Sequence, residues 1–180
     1  MRVLKHAILG FLDKCQMSGY DIMIEFKEHE IGQFWSAKHS QIYPELKKLL
    51  DEGLIEYHIE VQGIKLEKKV YSITDKGREE LKIWLSKLDE DIITPKDDFM
   101  LKAYFVTSIS KEEAKLIFEN RLEQHKVKMY HLDYKFNKLV EENSPIEFGS
   151  ENFGHYLVLS RAVERERTYV RWLEDSIKLF

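Results

Sequence analysis

The pattern changes abruptly at Gly53. Before it, apolar residues recur at helical spacing in three successive stretches; after it, Ile55, Tyr57, Ile59 and Val61 alternate with Glu56, His58 and Glu60. A period of two marks a half-buried strand, and Gln62-Gly63 turns the chain toward a second strand over Lys69-Val70-Tyr71-Ser72-Ile73. The three stretches ahead of this β-hairpin read as helices. Val3, Leu4, Ala7, Ile8 and Phe11 give the first, of about three turns. Ser18 opens the second, with Asp21 in the capping-box position and Tyr20, Ile22, Met23, Ile24 and Phe26 on the inward side. The third carries Ile42, Leu46, Leu49 and Leu50 and stops at Gly53. Pro44 lacks an amide proton and is comfortable only near a first turn, so this helix starts around Lys38 to Ser40. After the hairpin, Thr74 caps a further helix whose inward face is Leu81, Trp84, Leu85 and Leu88.

The order helix, helix, helix, hairpin, helix is that of a winged helix-turn-helix, in which the third helix enters the DNA major groove and the hairpin is the wing. The pattern changes again at Pro95. The sequence therefore divides into a winged helix over 1–88, a linker over 89–96 and a helical domain over 97–180. In the last, Ser110 and Glu113 have the form of a capping box, and Phe118, Leu122, His125, Met129, Leu132, Phe136 and Leu139 follow at alternating spacings of four and three. Tyr156, Leu159, Val163, Glu166, Val170, Leu173, Ile177 and Phe180 repeat the pattern. The fold class is thus mainly α with one hairpin, ending in an antiparallel pair of long helices. Apolar residues beyond the seam, such as Ile117, Tyr130, Leu157 and Trp172, imply a second subunit. Phe118, Leu122, Met129, Leu157, Leu173 and Ile177 are the candidate dimerisation residues.

Charge narrows the function. The 28 Lys and Arg residues are outnumbered by 32 Asp and Glu, a net charge of −4, so bulk charge does not attract nucleic acid. Local charge does. Lys38, Lys47 and Lys48 face the single Glu45 in the third helix, and Lys65, Lys68, Lys69, Lys76 and Arg78 outweigh Glu67 and Asp75 around the wing. Ser40 and Gln41 offer polar groups to base edges, with glutamine able to pair in bidentate fashion with adenine. Tyr20, Tyr43, Lys47, Lys65 and Lys68 suit phosphates, and His39 adds charge if protonated.

Other chemistry finds little footing. The seven histidines include no pair at helical ligand spacing, and no metal or cofactor is expected. Of the acidic pairs, Glu112-Glu113 occupies a helix's first turn and Asp97-Asp98 adjoins the apolar Phe99-Met100-Leu101, so capping and solvation explain them; neither a phosphate loop nor a nucleophile elbow is present, and an enzyme is not expected. The single Cys15 points to a reducing compartment. The apolar stretch from Met1 to Leu12 is short and broken by Lys5 and His6, and no run reaches the roughly 18 apolar residues of a membrane span. A cytoplasmic protein follows. Aromatics make up 12% of the chain, enough for a cleft that stacks a flat ligand, with Trp35 and Trp172 as its candidates.

Four segments carry a resemblance: Ala7-Ile8-Leu9-Gly10-Phe11-Leu12; Ser18-Gly19-Tyr20-Asp21-Ile22; His39 to Leu49 with Glu52-Gly53-Leu54-Ile55; and Lys69-Val70-Tyr71-Ser72-Ile73-Thr74-Asp75-Lys76-Gly77-Arg78. In this order the sequence resembles the PadR family of bacterial transcriptional regulators, in the form with a long C-terminal domain. The resemblance implies a homodimeric repressor, less often an activator, on a palindromic promoter site, in some relatives released by phenolic acids or other aromatic compounds. The competing reading is a protein-interaction adaptor that keeps the winged-helix scaffold and long helices without binding DNA. Salt-sensitive binding to promoter DNA separates the two.

Overall fold

A computed structural model describes residues 2–28, 30–62, 66–88 and 95–180. Residues 89–94 of the expected linker, and Lys65, lie outside the described residues. The chain forms two compact units, Met1–Ile92 and Ile93–Phe180.

The first unit contains α1 (Val3–Lys14), β1 (Met17–Ser18), α2 (Gly19–Glu28), α3 (His39–Asp51), β2 (Ile55–Gln62), β3 (Leu66–Ile73) and α4 (Asp75–Ser86). Ser18 starts α2 by a reciprocal cap: its hydroxyl accepts from the Asp21 amide at 3.2 Å, and the Asp21 carboxylate accepts from the Ser18 amide at 2.9 Å. The helix α3 ends in a Schellman turn, the Leu54 amide reaching the Leu49 carbonyl and the Gly53 amide the Leu50 carbonyl, both at 2.9 Å. This turn needs Gly53, whose φ is +68°. Pro44 is the sixth residue of α3 and withholds the amide that would reach the Ser40 carbonyl; both residues are on the exposed side of the helix.

The hairpin is part of a three-stranded antiparallel sheet of order β1-β3-β2, with Met17 opposite Tyr71 and Ser18 opposite Val70. Two residues are too few for alternation to reveal β1 in the sequence. Ile8, Leu9, Ile22, Ile42, Leu46 and Leu49 are almost fully enclosed and form the core on which the sheet packs. Thr74 ties the elements together. Its hydroxyl donates to the Gly53 carbonyl at 2.9 Å and accepts from the Gly77 amide at 3.1 Å, capping α4 on the turn that follows α3. On α4, Leu81 is buried and Trp84 stacks on the buried His6 at 4.6 Å. Leu85 and Leu88, expected to point inward, are 67% and 86% exposed: α4 ends at Ser86, and its inward stripe runs through Gly77, Leu81 and Trp84.

The second unit contains α5 (Asp98–Tyr104), a short 3-10 turn at Val106–Ser108, α6 (Lys111–Asn143) and α7 (Phe153–Ile177). The helix α5 has no periodic signal in the sequence; the Asp97 carboxylate caps it, accepting from the amides of Phe99 and Met100 at 2.9 and 3.2 Å. The Ser110–Glu113 capping box opens α6. The long helices are antiparallel: Phe118 packs with Phe180, His125 meets Glu166, and Asn152 meets Asn143. Leu132, Leu159, Ala162 and Val163 form one core cluster; Phe99, Phe118 and Leu173 form another. Among the described residues no helix is long and apolar enough to cross a membrane.

Within the seam Glu166 is 2% exposed and takes hydrogen bonds or ion pairs from His125 at 2.5 Å, Lys128 at 3.0 Å and Arg165 at 3.2 Å. Burial pushes its carboxyl up, but the hydrogen bonds and charges of His125 and Lys128 outweigh this and hold it below the ordinary glutamate value.

Three predictions concern stability. A Cβ at Gly77 would lie 2.1 Å from the Leu54 carbonyl oxygen and 2.7 Å from Ile73, so Gly77→Ala is expected to cost about 3 kcal/mol in urea unfolding. Thr74→Ala, which removes a cap, is expected to cost about 1 kcal/mol. Glu166 has a folded pKa below its unfolded one, so its contribution is complete above the unfolded value and is lost as pH falls through the folded one. Glu166→Gln is therefore expected to be less stable by about 3 kcal/mol at neutral pH, with the gap closing in acid. Guanidinium melts across that range measure it, and a gap independent of pH would be the contrary result.

Candidate nucleic-acid interface

The inward side of α3 holds Ile42, Glu45, Leu46 and Leu49, which leaves Ser40, Pro44 and Lys47 on the opposite side, flanked by Gln41, Tyr43 and Lys48. Glu45 is 8% exposed and accepts from Arg2 Nε at 3.0 Å. The carboxylate that offsets the lysines on paper is therefore turned inward. From Lys38 to Lys48 the outer side carries three lysines, a histidine, a serine, a glutamine and a tyrosine, and no exposed carboxylate.

Lys38 is the N-cap residue of α3 and is exposed. Its amide donates to Gln41 Oε1 at 2.9 Å. That bond uses one of the two acceptor positions of the Gln41 oxygen and fixes the side chain over the first turn, leaving its NH2 group as a donor suited to guanine or thymine acceptors or to a phosphate. His39 and Ser40 are exposed in the first turn, and the His39 ring lies 4.5 Å from that of Tyr43.

Tyr43 is 41% exposed and rests on α2 at Gly19, where a Cβ would come within 2.9 Å of its ring. Tyr20, next along α2, is 60% exposed rather than part of the helix's inward side. Lys68 on β3 is half-buried and pairs with Asp21 at 3.0 Å. Asp21 thus serves the cap of α2 and the wing together. Burial raises its carboxyl pKa, while the Ser18 amide and hydroxyl and Lys68 bring it down overall, below the ordinary aspartate value. The sequence marked Asp21 as a capping acid, but its reach to Lys68 depends on the pairing of β1 with β3, which has no sequence signature.

The wing is mixed in charge. Lys69 sits over the Tyr57 ring at 4.3 Å, while Glu56 and Glu60 on β2 are exposed. Of the aromatic candidates, Trp35 is half-buried against the first unit's core, and Trp172 is half-buried among Phe99, Phe118 and Tyr169 in the second. Phe118 and Leu173 are enclosed within their own unit, Leu122, Met129 and Ile177 are half-buried, and Leu157 is 51% exposed. Among the described residues no group of three or more His, Cys, Asp or Glu side chains is placed to hold a metal ion.

Residues 8–83 match the family model described as "Transcriptional regulator PadR-like family", and residues 95–180 match that of "Virulence activator alpha C-term". The chain is 53% identical over 179 residues to "Negative transcriptional regulator PadR" of Bacillus subtilis (strain 168), covering 99% of this chain and 98% of that one. Among solved structures, Bacillus subtilis PadR in complex with operator DNA is 54% identical with a TM-score of 0.95, covering 100% of this chain and 99% of the other. The complex of that regulator with p-coumaric acid is 51% identical with a TM-score of 0.85, over 99% and 96% of the two chains.

The Gly19 contact is open to test. Gly19→Ala is expected to displace the Tyr43 ring and weaken its contact with His39, seen as altered nuclear Overhauser cross-peaks between the two rings. Unchanged cross-peaks would refute the packing described.

Proposed function

The chain belongs to the PadR-like family of transcriptional regulators, and we propose that it is a homodimeric repressor that reads a palindromic promoter site through the outer side of α3. It is a regulator, not an enzyme, and it works in the cytoplasm. The observation that carries this reading is the inward turn of Glu45, which leaves the run from Lys38 to Lys48 facing out with no exposed carboxylate within it. Lys38, Lys47, Tyr20 and Tyr43 contact phosphates and set the register; Ser40, Gln41 and His39 meet base edges. Lys68 joins them once a phosphate competes with Asp21. Lys65, at the wing, completes the set. Support comes from the operator complex of the Bacillus subtilis relative.

Two copies place their recognition helices in successive major grooves, about 34 to 36 Å apart along the duplex. The long helices supply the contact between copies. Leu157, with exposed Tyr130 and Val127, offers apolar surface to a second chain, while Phe118, Leu122, Met129, Leu173 and Ile177 stiffen that region from inside. A small aromatic effector releases the DNA, as supported by the p-coumaric acid complex of the relative, with Trp35 and Trp172 the candidate contacts. Such a ligand lowers operator affinity only as far as it prefers the non-binding state.

Footprinting of the purified protein on DNA upstream of its own coding region tests binding, symmetry and spacing together. Lys47→Ala is expected to weaken binding to all sequences and to reduce the salt slope by about 1. Gln41→Ala is expected to change preference at one base position. Undiminished DNA affinity in Lys47→Ala, or binding insensitive to salt, would favour the adaptor reading.

A further inference from the structure

Asp21 carries more charge than its cap requires. It is the third residue of α2, a position where a neutral amide completes a capping box as well as a carboxylate does. Its Oδ2 accepts from the Ser18 amide at 2.9 Å and the Ser18 hydroxyl at 2.8 Å, and the same oxygen faces Lys68 Nζ at 3.0 Å. The carboxyl, held below the ordinary aspartate value, is ionised at neutral pH.

Lys68 differs from the other described lysines assigned to phosphates. Lys38 and Lys47 are exposed and, among the described residues, have no carboxylate partner. The Lys68 side chain is 33% exposed and already paired. Glu60, directly opposite it on β2, is instead placed against His58 at 3.4 Å. Asp21 also follows Tyr20, which is 60% exposed and assigned to a phosphate, and its own side chain is 42% exposed. A negative charge therefore stands among the groups assigned to the DNA backbone, bonded to one of them.

We propose that Asp21 is an electrostatic brake on DNA binding: it holds Lys68 in the free regulator, so that this ammonium serves a phosphate only at the expense of its pair with the carboxylate. A partly exposed pair of this kind is weak, and a phosphate competes with it successfully. The lost pair, and the repulsion between the carboxylate left behind and the duplex, both subtract from affinity. Asp21 thus sets how tightly the regulator holds DNA without itself contacting it. The brake rests on the DNA-reading function proposed above.

Full-length protein is titrated onto labelled DNA from upstream of its own coding region and onto unrelated duplex, following anisotropy from low to moderate salt. Asp21→Asn keeps the shape of the side chain and is expected to bind both duplexes about fivefold more tightly, with a salt slope steeper by up to about 1. Glu79→Gln, which removes the same charge from an exposed position on α4, is expected to change affinity less than about twofold. In a Lys68→Gln background, Asp21→Asn is expected to gain less than about twofold, because the partner it releases is gone. Asp21→Gln supplies a capping-box amide and takes the place of Asp21→Asn if the latter does not melt cooperatively. If the wild-type protein binds its promoter in a salt-sensitive way and the folded Asp21 variant binds no more tightly, the brake is overturned and the DNA-reading function stands. A gain that is equal in Glu79→Gln, or undiminished in the Lys68→Gln background, overturns the route through Lys68. If the wild-type protein does not bind promoter DNA at any salt concentration, the function and the brake fall together.

Discussion

A buried carboxylate sets the orientation of α3. Glu45 sits among Ile42, Leu46 and Leu49 and is held by Arg2 from the start of the chain. Without that guanidinium the same side of the helix would carry an uncompensated charge against the core, which is strongly unfavourable. With it, the helix keeps its apolar side and Glu45 turned the same way, while Asp51 at its end stays exposed. Everything proposed for the outer side, from Ser40 to Lys48, follows from that rotation. The Schellman turn at Gly53 and the cap at Thr74 then hold the helix, the sheet and α4 in one arrangement.

Much of this was legible in the residues because local rules and packing agreed. The change of period at Gly53, the caps at Ser18, Thr74 and Ser110, and the alternating three and four spacing of the long helices all translate directly into observed elements. What escaped was short or depended on distant partners. The strand β1 spans two residues, and α5 spans seven, too few for a periodic signal. Leu88 lies beyond the end of α4 at Ser86, and Leu85, within the helix, lies off its inward stripe of Gly77, Leu81 and Trp84. The inward turn of Glu45 could not be found by counting charges, since its partner lies 43 residues away.

The long helices show how a polar group can matter within an apolar seam. A repeat of apolar residues alone tolerates a slide of one helix past the other, because each register presents similar surfaces. Glu166 meets His125 and Lys128 in one alignment only, and a slide by a turn would leave a buried charge alone. The cluster at Phe118, Phe180 and Leu173 at one end and the Asn143–Asn152 contact at the other agree with that alignment.

Asp21 joins two elements that are 47 residues apart in sequence through one oxygen, which receives the Ser18 amide, the Ser18 hydroxyl and the Lys68 ammonium. Those donors share a fixed amount of negative charge. The hairpin and the first turn of α2, where Tyr20 and the Gly19 rest for Tyr43 are found, are thus held by the same carboxylate.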